Sequence, residues 1–216
     1  MTDTPLAAMI ARSVRYARPG TVIVGLAVLA AVAACAETVP SRFYTLAPAA
    51  GATEATAASA PKDLTIGLGP VVLPNYLDRP EIVRRTGEYE LDIAEFDRWS
   101  ESLDSMVPRI MTQNLAATLG TDRVMIFPQR RAPEAAYQVE IEVFRFDAGS
   151  NDEVVLDAQW EIYGGRGERP LALRKQTFRQ PIDGEGYAAV AGAMSAALAA
   201  LSTEIAADLR NQQTGR

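Results

Sequence analysis

The chain has 216 residues with 21 Lys and Arg against 27 Asp and Glu, a net charge of −6, no histidine and a single cysteine, Cys35. The missing imidazole excludes zinc sites of the His/Cys type, Ser-His and Cys-His nucleophile systems and histidine acid/base chemistry. The acidic balance is a poor electrostatic match for nucleic acid. In chain order, Arg12, Arg15 and Arg18 form a basic flank, Pro19-Gly20 breaks the chain, and Thr21 to Ala34 is uncharged. That apolar run is too short for the ~30 Å hydrocarbon core of a bilayer and suits the core of a signal peptide. The expected signal peptide is 1–34, with cleavage between Ala34 and Cys35. A lone cysteine makes no internal disulfide, which leaves packing, reactivity, pairing between chains or covalent modification.

Val32-Ala33-Ala34-Cys35 resembles the bacterial lipobox. The resemblance implies diacylglyceryl attachment to Cys35, cleavage before it and acylation of the new amino terminus. Ala36, in place of Asp, resembles the outer-membrane default. Three acyl chains, at about 0.8 kcal/mol per buried CH₂, hold far more firmly than one. The protein would then be anchored to a membrane rather than span it. Removing residues 1–34, which carry three arginines and Asp3, leaves 182 residues and takes the net charge from −6 to −8.

Ala47 to Pro61 is nearly all Ala, Thr, Ser, Gly and Pro and reads as a flexible stalk with about 3.3 Å of reach per extended residue. The expected tether spans 35–62, with an edge strand at 41–46 because Phe43, Tyr44 and Leu46 are too apolar for linker. A single domain follows over 63–212. DLTIGLGPVVLP reads as a strand, and EIVRRT and EYELDIA as a hairpin around Gly87. Leu103, Met106, Val107, Ile110, Met111, Leu115 and Leu119 recur at helical spacing, closed by Gly120. Pro108 fits only a first turn, so that helix starts near Asp104 or kinks. DRVMIF is a short strand. AYQVEIEVFRFDA and the run from Val154 to Ile162 alternate across a GSND turn as a long antiparallel hairpin, and LALRKQTFRQ adds a strand. Tyr187, Val190, Met194, Leu198, Leu201, Ile205 and Leu209 mark a final helix. Together these predict an α+β fold in two layers: an antiparallel-dominated sheet with two helices packed on one face, and Phe144 and Phe146 among polar residues on the other.

Neither a Walker loop nor a dinucleotide fingerprint, HExxH, GxSxG or EF-hand pattern occurs. No catalytic, metal or cofactor residue is assigned. Asp92, Glu95, Asp97, Glu101 and Asp104 match no ligand register, and carboxylates leading into a helix are favoured by its dipole. Arg84-Arg85 and Arg130-Arg131 read as solvated pairs. Arginine outnumbers lysine nineteen to two, and its planar fork suits fixed carboxylate interfaces.

The lipobox, Ser41-Arg42-Phe43-Tyr44-Thr45-Leu46, the Pro74–Val83 segment, Arg98-Trp99-Ser100-Glu101 and the final helix resemble the ABC-transport auxiliary lipoproteins of the PqiC type. The family's usual Trp-(Ala/Gly)-Glu-Pro-Leu reads Trp-Ser-Glu-Ser-Leu here, with the proline at 108. The resemblance implies an outer-membrane lipoprotein, its domain in the periplasm, that docks an MCE (mammalian cell entry) domain protein of an ABC-type lipid transport system. It implies no covalent chemistry and no cofactor. MCE proteins form rings, which leaves a homo-oligomer open. The candidate docking residues are Tyr76, Asp78, Arg79, Arg98, Trp99 and Glu101, since Tyr, Trp and Arg dominate interface energetics. Trp99 has a core position beside the first helix as its alternative. Two other classes compete: a chaperone or plug for lipopolysaccharide, which calls for clustered arginines, and an enzyme, which calls for a pocket of paired carboxylates.

Overall fold

The computed structural model describes residues 40–49, 64–127, 135–165 and 169–214. The 1–34 segment, Cys35, most of the Ala47–Pro61 stretch and Arg130-Arg131 lie outside the described residues. Eight strands form one sheet: β1 (Arg42–Tyr44), β2 (Ile66–Val72), β3 (Glu81–Arg85), β4 (Leu91–Trp99), β5 (Val124–Ile126), β6 (Tyr137–Ala148), β7 (Glu153–Gly164) and β8 (Pro170–Pro181). Among the described residues two α-helices accompany them, α1 (Leu103–Leu119) and α2 (Gly186–Thr214).

The twelve-residue β6 organises the sheet. One of its edges carries β7 in antiparallel register from Tyr137↔Gly164 to Ala148↔Val154, and β7 carries β8. Its other edge is shared by shorter strands. β2 runs parallel to its first half, from Ile66↔Tyr137 to Val72↔Glu142, while β3 meets its far end at Arg84↔Ala148. Each extends into a wing, β2 through β5 and β3 through β4 to β1.

Four of the seven pairings among the described residues are parallel, so the sheet is mixed and not antiparallel-dominated as its alternation implied. Period-two patterning shows which residues share a face but not which way a neighbouring strand runs. Direction depends on the connections: α1 lies between β4 and β5 and lets β5 start beside β2 with the same heading, which a tight turn does not allow.

The β6 alternation also slips. Between Val143 and Arg145 the register with β7 shifts, and the strand changes face. Phe144 is 41% exposed on the polar side, whereas Phe146, expected beside it, is wholly buried. The same slip brings Ala148 to the core face and puts Asp147 on the opposite one, where it is nonetheless wholly buried.

Helix α1 runs from Leu103 straight through Pro108, beyond its first turn. Proline has no N–H for the carbonyl four residues back, at Asp104. The helix tolerates this because Leu103, Met106, Val107, Ile110, Met111 and Leu115 are all buried. Gly120 ends it in the left-handed region, φ 68°, where its N–H bonds the Ala116 and Ala117 carbonyls. By length and apolarity α2 passes for a membrane span, yet half of its most apolar stretch is buried within the domain. It packs on β6, β7 and β8, α1 packs on β2 and β5, and the helices touch each other. Trp160, Ile66, Leu68, Met106, Leu198 and Leu201 are among the fully enclosed core residues.

Candidate partner interface

The candidate residues fall where the strand wing of β3, β4 and β1 meets the turn before it. Pro74 leads into a single 3₁₀ turn, Asn75–Leu77, that buries Leu77 and leaves Asp78 exposed and Arg79 half-buried. The chain then crosses to the end of β4, where the Trp99 N–H donates to the Pro80 carbonyl at 2.6 Å. Arg98 stands opposite Glu81 in the β3–β4 ladder and pairs with it at 3.4 Å. Glu101 pairs with Arg109 on α1 at 3.0 Å. Trp99 itself is in the core, 4% exposed. Thus Arg98 and Trp99 meet the Pro80-Glu81 corner, and Glu101 turns to α1.

Tyr76 is drawn elsewhere. Its hydroxyl donates to Asp147 Oδ2 at 2.9 Å and accepts from the Phe146 N–H at 3.0 Å. Burial and the neighbouring Asp147 charge push its pKa up to about 12, against the lowering effect of the Phe146 N–H.

β1 completes this wing. Arg42, Phe43 and Tyr44 run parallel to Asp97, Arg98 and Trp99, and the Ser100 N–H donates to the Tyr44 carbonyl at 2.8 Å. Asp97 holds the strand: Arg42 donates to both of its oxygens, at 2.8 and 2.9 Å, and the Tyr44 hydroxyl donates at 2.7 Å. Burial alone would raise the Asp97 pKa, but the Arg42 and Tyr44 hydrogen bonds outweigh it and hold the carboxyl below its ordinary value. Of the five acidic residues noted in the sequence, Asp97 therefore serves a structural ion pair.

The segments that form this wing and its approach carry the motifs SRFYTL, Pro74–Val83 and Arg98–Glu101. A family model described as "ABC-type transport auxiliary lipoprotein component" matches residues 44–206. The chain belongs to that family. Two solved structures share the fold of this auxiliary lipoprotein. One, titled only an uncharacterized protein, has a TM-score of 0.64 at 17% identity, covering 79% of this chain and 99% of its own. The other is protein XCC0632 from Xanthomonas campestris, of family DUF330, with a TM-score of 0.63 at 18% identity, covering 81% and 99%. No curated protein sequence matches.

Two further constellations on the auxiliary lipoprotein escaped sequence reasoning. On the polar sheet face a cavity of about 190 Å³ is lined by Glu140, Glu142 and Glu161 with Val72 and Gln159. Glu140 and Glu161 stand directly opposite in the ladder, an unfavourable like-charge pair. Tyr163 donates to Glu161, and this hydrogen bond, with desolvation, pushes its pKa up to about 12. The other constellation surrounds Asp147, which is wholly buried and binds Arg85 at 3.3 Å and Arg145 at 2.8 Å. Arg85 is therefore not the solvated residue that its place in an Arg-Arg pair implied. FRFDA gave no signal of this: the slipped register puts Phe146 and Ala148 on the core face and Asp147 on the opposite one, where Tyr76, Arg85 and Arg145 bury it.

Proposed function

We propose that the protein is an outer-membrane-anchored accessory lipoprotein of an MCE-type lipid transport system, held by acyl chains on Cys35 and docking the periplasmic end of an MCE-domain assembly. It performs no covalent chemistry; the acyl chains hold it at the membrane, the segment between Cys35 and β1 joins anchor to domain, and the domain supplies the docking surface. The observation that carries this reading is the family match across 44–206, preceded in the same chain by the Val32–Cys35 lipobox. ABC-type transport auxiliary proteins need a transporter to assist, and a lipid anchor places this one at a membrane surface. The surface proposed for docking is the Pro80-Glu81 corner with Asp78, Arg79 and Arg98, together with Glu101, while Trp99 is buried. Tyr76, bound to β6, braces the turn that presents them.

Crosslinking and pull-down from membranes with Cys35 intact, followed by mass spectrometry of partners and of the amino-terminal peptide, tests this. The expected result is an MCE-domain protein together with a triacylated Cys35, and an Arg98→Ala/Glu101→Ala variant that folds normally but recovers about tenfold less partner. Recovery of lipopolysaccharide-export components instead, or an unmodified thiol with no transport partner, would refute the reading.

A further inference from the structure

At the end of the β6–β7 hairpin a cavity of about 260 Å³ is lined by Arg85, Arg145 and Arg179, with Glu88, Asn151 and Val155 among the other residues of its wall. Three strands, β3, β6 and β8, deliver one guanidinium each. Two of these are fixed from behind. Arg145 uses its Nε and one terminal nitrogen on Asp147 Oδ1, at 2.9 and 2.8 Å, and Arg85 uses its Nε and a terminal nitrogen on Oδ2, both at 3.3 Å. Asp147 has no exposure, while the arginine side chains keep 24% and 30%. One carboxylate thus orients two guanidiniums from behind; Glu88 also lines the cavity and Glu153 faces Arg179, so of the three carboxylates near the three arginines only Asp147 is buried. The third, Arg179, is 58% exposed and reaches Glu153 at 3.4 Å, a distance at which the pair is weak.

Two arginines on one buried carboxylate can be structural alone, but here a third from another strand joins them. Here three converge on open space in a chain whose net charge is −6. The wall stays open at Gly149, where a Cβ would lie 2.7 Å from Asn151 Oδ1 and 3.6 Å from an Arg145 terminal nitrogen. The volume suits a single tetrahedral oxyanion with a short substituent, and Val155 is the only apolar side chain on it, so acyl chains have no place there.

We propose that this cavity is a phosphate-binding site, taking a phosphomonoester or phosphodiester group between Arg145, Arg85 and Arg179. Guanidinium forks match phosphate oxygens in pairs, and preoriented arginines lose little entropy on binding. The site goes beyond the docking function and does not rest on it, because it lies on the β6–β7 hairpin and is built from different residues.

The full acylated chain in a neutral maltoside detergent is titrated calorimetrically with inorganic phosphate, with glycerophosphoglycerol as a headgroup diester, and with chloride as control. One-to-one binding below about 1 mM is expected for a phosphate probe, with none for chloride. A preference of about tenfold for the diester identifies a lipid headgroup as the source, and the reverse preference identifies free phosphate. Arg179→Ala, which removes an exposed side chain and leaves Asp147 paired, is expected to weaken binding about fivefold or more with its melting temperature unchanged. Arg145→Lys is expected to do the same, and should it fail to fold, Arg179→Ala carries the test. The proposal is overturned if neither phosphate probe binds at about 10 mM, or if both variants bind as the parent does.

Discussion

Trp99 and Asp147 show how little a residue's neighbours in sequence settle about its surroundings. Trp99 sits in a stretch rich in Tyr and Arg that allows either a docking or a core position, and the structure puts it in the core. Trp99→Ala is expected to destabilise the domain by about 3–5 kcal/mol through the lost transfer energy and the cavity left behind. Urea unfolding of the full chain measures this; a change under about 1 kcal/mol would mean that the ring contributes little to the core. Asp147 and Asp208 look like ordinary charged positions in a strand and a helix. Yet Asp208 accepts from the buried Trp160 Nε1 at 3.1 Å, across 48 residues of chain. No local pattern announces such partners, because each is chosen by tertiary packing.

At the scale of the element, β1 is three residues long and depends on what it touches. The Asp97 carboxyl is held below its ordinary value, near 3.9 for a free aspartate. Its contribution is therefore complete above about pH 4 and disappears as pH falls through the lower folded value, once the carboxylate is protonated. Asp97→Asn removes the ion pair with Arg42 at every pH. The expected outcome is faster amide hydrogen exchange at Phe43 and Tyr44 in the variant near neutral pH, and a difference from the parent that closes in acid. An exchange rate unaffected by the substitution would show that backbone pairing alone holds the strand. Helix existence was legible here, since α1 and α2 both carry apolar residues at three- and four-residue steps. The direction of β2 relative to β6 and the face of Phe146 were not, because they follow from a crossover and a one-residue slip rather than from composition.

Across the whole molecule, the β6–β7 hairpin, the Tyr76 turn and β3 are tied together at Asp147. Tyr76 keeps its proton in the folded state up to about pH 12, compared with about 10 in the unfolded chain. The stability linked to that proton is present below about pH 10 and is lost as pH rises toward about 12. Thermal unfolding of the parent should accordingly fall more steeply over this range than that of Tyr76→Phe, in which the other tyrosines titrate as before. Equal slopes would place the alkaline sensitivity elsewhere.

The sequence by itself determined the lipobox pattern, the two helices, the strand positions and the family, because each is written in short-range order: a motif, a period of 3.6 or a period of two. Only the tertiary structure decided that the sheet is mixed, that Trp99 is core, and that Arg85, Arg145 and Arg179 from three separated strands share one cavity. These depend on contacts between residues tens of positions apart, whose geometry is set when apolar faces are buried together and strands choose their neighbours.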